Sequence, residues 1–110
     1  MKIESSSEGP VTVLHLSGEI DEVDVNIFRE HLSTHAAGAR FVLDLSDVLR
    51  LSSYALALIG FHRAELAQSG GRLALAAVPP SGMRAIELAG LQSHIEIHAS
   101  VDEAVRALSA

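Results

Sequence analysis

The amino-acid sequence predicts an α/β domain: a small mixed β-sheet, parallel at its centre, packed against about four helices. Two short apolar runs, residues 41–45 and 73–78, have the unbroken hydrophobic character of strands buried on both faces. Between them, residues 53–69 have the length and composition of a helix. Strands that alternate with helices in this way are joined by right-handed crossovers and therefore lie parallel.

The first third of the chain predicts two strands and a helix. Residues 2–6 form a strand with Ile3 as its one apolar anchor, and residues 11–16 form an interior strand after a Gly-Pro turn. From about Asp24 the apolar period becomes helical, and Gly38 is a suitable stop for that helix. The stripe that predicts this helix consists of Val25, Phe28, Leu32 and Ala36.

The remaining elements are predicted from caps and breaks. Ser46-Asp47 is expected to interrupt the strand, so that residues 48–51 form a second extended piece. Residues 54–59 are apolar nearly all round, so the first half of their helix should be packed on several sides. Ser81 is expected to cap a short helix through Leu88, and residues 94–98 alternate like a half-exposed strand. A capping box at Ser100 opens the last helix, with Val101, Val105 and Leu108 on its inner face.

Composition excludes several classes of protein. The formal net charge is −6 and the eight Lys and Arg residues are dispersed, so nucleic acid is not an expected partner. There is no cysteine, which fits a reducing compartment. The polar N-terminus does not resemble a signal peptide, and no apolar run is long enough to span a bilayer. We therefore expect one cytoplasmic domain over residues 1–110, without direct insertion into a membrane.

The junction after residues 48–51 has two adjacent serines, Ser52 and Ser53, at the start of a helix. Serine is a preferred N-cap because its hydroxyl accepts a hydrogen bond from a free backbone N–H group. A helix start also attracts anions, because free N–H groups and the macrodipole point at an incoming negative charge.

Motifs for catalysis or metal binding are absent from the sequence. His31 and His35 lie four residues apart on a predicted helix but have no third ligand nearby. His15 lies among apolar residues, and we interpret it as a hydrogen-bonded core or edge histidine. Asp44 and Asp47 are assigned roles in the turn rather than in a metal site. No glycine flanks Ser53 as a hydrolase nucleophile would need, and no phosphate-binding loop is present. We predict no enzyme activity, no metal site and no cofactor.

Three segments together resemble a known family. The residues DLSDV at 44–48, followed after three residues by SSYAL at 52–56, resemble the signature of the STAS domain (sulphate transporter and anti-sigma-factor antagonist). The residues GEID at 18–21 and the segment from Leu88 to Ala104 also resemble this family. The resemblance spans nearly the whole chain and implies the STAS order of elements, which opens with a β-hairpin at the edge of the sheet.

The resemblance implies an anti-sigma factor antagonist, which binds a kinase-type anti-sigma factor and so releases a sigma factor. The family's phosphorylated serine corresponds to Ser53, and a PP2C-type phosphatase would reverse the modification. Ser52, Tyr54 and Ala55 differ from the family pattern, which has an acidic residue, Ser or Thr, and Gly at these positions. The alternative is therefore a STAS module without a switch, either a signalling scaffold or an accessory subunit of a lipid-transport ABC complex. The residues expected to bind the partner are Asp21, Asp47, Arg50, Ser52, Ser53 and Tyr54.

Overall fold

A computed structural model describes residues 2–20, 29–30 and 37–110. The described part contains five strands and three helices, which in chain order are β1 (Lys2–Glu8), β2 (Val11–Ile20), β3 (Arg40–Leu51), α1 (Ser53–Gln68), β4 (Arg72–Ala76), α2 (Pro80–Leu88), β5 (Glu96–His98) and α3 (Val101–Ser109). Of the helix expected from about Asp24, only Arg29 and Glu30 are described, and both are helical. None of the described helices is long and apolar enough to cross a membrane.

The strands form one sheet in the order β1-β2-β3-β4-β5. Strands β1 and β2 are antiparallel and joined by a turn at Gly9, whose φ of 61° suits glycine. The pairs β2–β3, β3–β4 and β4–β5 are parallel. The predicted mixed sheet with a parallel centre is confirmed, as is the hairpin at its edge. The described part has three helices, where about four were expected for the whole chain.

Strand β3 is covered on both faces. Leu43 and Leu45 belong to a core cluster that α1 and α2 complete with residues such as Ile59 and Ile86. Val42 points to the other face and belongs to a smaller cluster with α3. That second cluster consists of Val11, Val13, Val42, Ala74, Ala76, Ala104 and Leu108. The apolar character of residues 41–45 therefore reflects burial on both faces of the sheet, as predicted.

The strands differ from the prediction at their ends. Strand β3 continues through Ser46-Asp47, because β2 remains paired with it as far as Leu51. Strand β4 ends at Ala76, since Ala77 has a φ of 54°, and Val78 lies outside the strand and is only partly buried. Strand β5 contains only residues 96–98 of the predicted five, because the backbone N–H groups of residues 94 and 95 donate to the Leu91 carbonyl in a turn.

Two glycines end helix α1. Gly70 has a φ of 80°, and its N–H donates to the Ala67 carbonyl, while the Gly71 N–H donates to the Leu66 carbonyl at 2.8 Å. These two bonds are the Schellman arrangement, which satisfies carbonyls that the helix leaves free. A Cβ added at Gly71 would lie 2.5 Å from the Ala39 carbonyl oxygen, so a side chain cannot be accommodated there without movement of the backbone.

Helix α2 begins differently from the prediction. Its N-cap is Pro79, with Pro80 as the first helical residue, and Ser81 lies inside the helix, so the predicted Ser81 cap is wrong. Proline suits the first helical position because its missing N–H would have no partner there. A Cβ at Gly82 would lie 2.9 Å from Val78 Cγ1, so the backbone of α2 lies very close to the chain that follows β4.

Helix α3 begins as predicted. The Glu103 N–H donates to Ser100 Oγ at 3.2 Å, which satisfies one of the free donors of the first turn. Its inner face is centred on Ala104 and Leu108, which are fully buried, whereas the predicted contacts of Val101 and Val105 are only partly buried.

The first half of α1 is less buried than its composition predicts. Within residues 54–59, Ala55, Leu56, Leu58 and Ile59 are buried, but Tyr54 is 50% exposed and Ala57 is also exposed. The expectation that this half is packed on several sides is therefore wrong for the single chain, which buries one face of α1.

Replacement of a core leucine tests the placement of β3. Leu43 has no solvent exposure, and Leu43→Ala should lower the free energy of unfolding by about 2–5 kcal/mol, because it removes buried methyl groups and leaves a cavity. Leu88→Ala is the matched control, since Leu88 is 82% exposed and the change should stay within about 0.5 kcal/mol. Equal losses in urea unfolding would contradict the assignment of β3 to the core.

Candidate functional site

The junction between β3 and α1 gives its two serines different environments. Ser52 is the N-cap of α1, and its Oγ accepts a hydrogen bond from the Ala55 N–H at 3.1 Å. The Ser52 carbonyl accepts the first helical bond, from the Leu56 N–H at 3.0 Å. Ser53 is the first residue of the helix and is exposed to solvent. The serine that organises the helix start is therefore Ser52, and the one presented at the surface is Ser53.

The neighbours of Ser53 divide between surface and core. Tyr54 is half exposed, while Ala55 is 1% exposed and packs into the core. The first turn of α1 contains no acidic residue. Ala55, which stands where the STAS signature has Gly, therefore faces the interior. The other two residues that differ from the signature reach the surface: Tyr54 is half exposed and Ser52 is partly exposed.

The end of β3 presents a large apolar side chain and a cation beside this junction. Val48 is buried, Leu49 is 76% exposed and Arg50 is exposed. Arg50 is the Cα partner of Glu19 on β2, and Leu49 is an extra residue at the register shift that precedes this pair. We use the name junction surface for Asp47, Arg50, Ser53 and Tyr54.

His15 on β2 links two carboxylates of β3. Its Nδ1 lies 2.7 Å from Asp44 Oδ2, and its Nε2 lies 2.9 Å from Asp47 Oδ2. Both ring nitrogens donate only in the imidazolium form, so the geometry fits a protonated His15. Asp44 Oδ1 also accepts from the Ser46 backbone N–H at 3.1 Å. This bond lies at an irregularity inside β3 and not in the turn that was expected, and Asp44 is in addition ion-paired with His15.

One irregularity in the β2–β3 ladder allows His15 to reach both Asp44 and Asp47, an arrangement that we call the His15 clamp. Alternation along a regular strand would send Asp44 and Asp47 to opposite faces, because they are three residues apart. Between the pairs His15↔Asp44 and Ser17↔Asp47, β3 contains one more residue than β2, which is a bulge. The bulge returns the second carboxylate to the side of the sheet where His15 lies.

The ion pairs shift the acidity of both clamp residues. The hydrogen bond with Asp44 is the largest influence on His15 and raises its pKa above the ordinary value, with a further contribution from Asp47 and some opposition from burial. Burial alone would raise the pKa of Asp44, but the hydrogen bonds from His15 and from Ser46 together outweigh it and hold that pKa below its usual range.

The predicted site residues separate into three groups. Ser52, Ser53 and Tyr54 lie together at the start of α1, with Arg50 exposed at the end of the preceding strand. Asp47 is exposed but ion-paired with His15. Asp21 lies outside the described residues. The sequence did not predict the link from His15 to Asp47, because only the parallel register and the bulge bring the two residues together.

Metal and cofactor sites were not expected, and the described residues contain no group of three or more His, Asp or Glu side chains arranged to hold a metal ion. The pair considered in the sequence, His31 and His35, lies outside the described residues.

The comparison with protein families assigns the chain. The family described as the STAS domain matches residues 2–104. The fold is the mixed α/β arrangement described above, and the chain therefore belongs to the STAS domain family. No curated protein sequence matches the chain.

Solved structures similar to this chain include an anti-sigma factor antagonist from Mycobacterium paratuberculosis, with 26% identity and a TM-score of 0.87 over 99% of this chain and 94% of that one. An anti-sigma-factor antagonist (STAS) domain protein from Planctomyces limnophilus has 19% identity and a TM-score of 0.86, with 98% of each chain covered. The Bacillus cell fate determinant SpoIIAA in its phosphorylated form has 22% identity and a TM-score of 0.74 over 96% of this chain and 98% of that one. The last two show the likeness of fold.

The clamp predicts a pH dependence of stability. The pKa of His15 is raised in the folded protein. The stabilisation that protonated His15 adds to the free energy of unfolding should therefore be complete below its pKa in the unfolded chain, about 6.5, and disappear as the pH rises through its pKa in the folded protein. The folded pKa of Asp44 is lowered, so its contribution should be present above about 3.9 and be lost as the pH falls further. The stability difference between the wild type and His15→Gln should therefore be greatest near pH 5–6, roughly between these two unfolded values.

Urea unfolding at a series of pH values measures this difference. His94→Gln is the control, because His94 lies at the surface of the chain and outside the clamp. A difference between the wild type and His15→Gln that stays constant from acidic to alkaline pH would show that the two carboxylates do not hold a protonated His15.

Proposed function

We propose that this protein is an anti-sigma factor antagonist, which binds an anti-sigma factor through the junction surface and thereby frees a sigma factor. Family membership supports a binding module of this kind, and we propose no enzyme activity for it. The observation that carries the proposal is the exposed position of Ser53 at the first residue of α1, beside a serine already engaged as the cap. We propose that the chain acts as one STAS domain over residues 1–110 in the cytoplasm, without cofactor.

We further propose that Ser53 is the phosphorylated residue and that the anti-sigma factor is the serine kinase that modifies it. The Ser53 hydroxyl would lose its proton and accept the γ-phosphoryl group of ATP, with ADP as the leaving group. A PP2C-type phosphatase would then hydrolyse the phosphate ester and release inorganic phosphate. A phosphoserine adds about −1.5 to −2 charges near pH 7. At the start of α1 this charge meets the positive end of the helix dipole, where no acidic residue competes. The modification should therefore leave the fold intact and prevent binding through charge and bulk at the surface.

A STAS module without a switch is the second candidate, as a signalling scaffold or an accessory subunit of a lipid-transport ABC complex. Two observations favour it: Ser52 stands where the family has an acidic residue, and Tyr54 adds a half-exposed ring beside Ser53. Ala55 gives it no support, because its methyl group is buried.

The phosphorylation test compares the wild type, Ser53→Ala and Ser53→Asp in binding assays with a candidate anti-sigma factor kinase and ATP. A switch predicts phosphate on wild-type Ser53 by mass spectrometry, constitutive binding by Ser53→Ala and weak binding by Ser53→Asp, whose carboxylate supplies part of the phosphate's charge. Equal binding by all three proteins, with no phosphate incorporated, would favour the scaffold.

A charge reversal tests the junction surface without phosphorylation. Arg50→Glu should weaken binding of the anti-sigma factor by about tenfold, or ~1.4 kcal/mol. The melting temperature should fall only slightly, because Arg50 is exposed although the new carboxylate lies opposite Glu19. Arg106→Glu is the matched control, since Arg106 is an exposed residue of α3. An unchanged affinity for Arg50→Glu in calorimetric titration would place the partner elsewhere.

A further inference from the structure

Helix α1 has a second apolar face, which the fold leaves exposed. Its buried face includes Leu56, Ile59 and Leu66. Its exposed face carries Tyr54, Ala57, Phe61 and Ala64, separated by steps of three, four and three residues, with the polar Glu65 and Gln68 beside them. We call these four residues the α1 stripe. Such spacing is typical of the seam along which one helix packs against another.

The exposure of this stripe is unusual for its composition. Helices that are apolar on all sides are normally buried on all sides, and single exposed apolar residues elsewhere need no explanation. Tyr54 and Phe61 are two large rings, two helical turns apart on one face, and each is at least half exposed. Two large rings on one exposed face form a patch of the kind that marks a contact surface.

We propose that a second copy of this chain covers the α1 stripe, with the two α1 helices packed antiparallel. The stripe alternates large and small residues, and a two-fold axis at the level of Ile59 matches them. Tyr54 then faces Ala64 of the second copy, and Ala57 faces its Phe61. Interfaces between identical copies with two-fold symmetry must be self-complementary in this way.

The helix dipole favours the antiparallel orientation. The first turn of α1 has no acidic residue and its last turn has no basic residue, so side chains compensate neither end of the helix dipole. An antiparallel neighbour brings the opposite partial charge to each end. Gly60 lies beside the stripe and has open space where a Cβ would be, which allows the two backbones to approach closely.

The size of the contact sets the conditions of the test. A fully buried aromatic side chain contributes roughly 150–250 Å². Two half-exposed rings from each copy therefore bring on the order of 400 Å² of aromatic surface, well below the roughly 1,200–2,000 Å² of a standard stable interface. The association should be weak and dependent on concentration. We expect a dissociation constant between about 1 µM and 1 mM.

Sedimentation velocity over roughly this range of concentrations tests the association, using the full chain alone. The wild type should shift from the 11.6 kDa chain mass toward twice that value. Phe61→Glu should weaken dimerisation by more than about tenfold, because each copy would bury an unpaired charge. Leu88→Glu is the matched control: Leu88 is the most exposed large apolar residue among those that the structure describes, lies on α2 and should leave dimerisation unchanged. Melting temperatures establish that both variants are folded.

Two results would overturn the proposal. A wild type that stays monomeric at the highest concentration excludes the dimer, and if Phe61→Glu then weakens binding of an anti-sigma factor, the stripe belongs to that partner instead. Equal loss of dimer in Leu88→Glu and Phe61→Glu would show that the association does not use the stripe. Because this test needs no anti-sigma factor, its failure is separate from failure of the proposed function.

A size swap tests the pairing itself. Ala57→Phe alone places two large rings against each other and Phe61→Ala alone places two small residues together, so each should weaken the dimer. The double variant exchanges large and small and should recover most of the wild-type association. Without that recovery, the antiparallel pairing of Ala57 with Phe61 is wrong.

Engineered cysteines test the orientation, since the chain has no cysteine of its own. Gly60→Cys lies near the proposed axis and should form a disulfide-linked dimer under mild oxidation. Ala64→Cys should not, because the two copies of this position would be about 15 Å apart along the helices. The opposite result, with links at position 64 only, would contradict antiparallel packing.

Discussion

The burial of β3 on both faces positions the remaining elements. One face holds Leu43 and Leu45 under α1 and α2, and the other holds Val42 under α3. Each fully buried side chain of this size contributes roughly 1.5–3 kcal/mol. A one-residue slip of β3 would turn Asp44 toward the larger core and Leu43 away from it, so the register is fixed. Its C-terminal end therefore delivers Ser52 to the start of α1 in one orientation, and Ser53 to the surface.

Much of this arrangement could be predicted from the sequence, because it depends on local patterns. The apolar run of β3 and the serine cap of α1 each carry their own signal. The clamp of His15 could not be predicted, since strict alternation places Asp44 and Asp47 on opposite faces and only a bulge brings them together. The exposure of Phe61 was also missed, because composition shows that a helix is apolar but not how many of its faces one chain can cover.

The junction surface and the α1 stripe share Tyr54. If the two proposals hold together, an anti-sigma factor and a second copy of the chain compete for the same end of α1. Self-association would then lower the concentration of free binding surface, and a phosphate on Ser53 would lie at the edge of both contacts. The His15 clamp holds Asp47, the residue of the junction surface that lies farthest from α1 in sequence, in place on β3.

The different roles of the two serines are the centre of this account, and the free energy of unfolding of two single variants measures them directly. Ser52→Ala removes the acceptor for the Ala55 N–H and should cost about 1 kcal/mol, within a range of roughly 0.5–2 kcal/mol. Ser53→Ala changes an exposed side chain and should stay within about 0.5 kcal/mol of the wild type. A larger loss for Ser53→Ala than for Ser52→Ala would contradict the assignment of Ser52 as the cap and Ser53 as the surface residue.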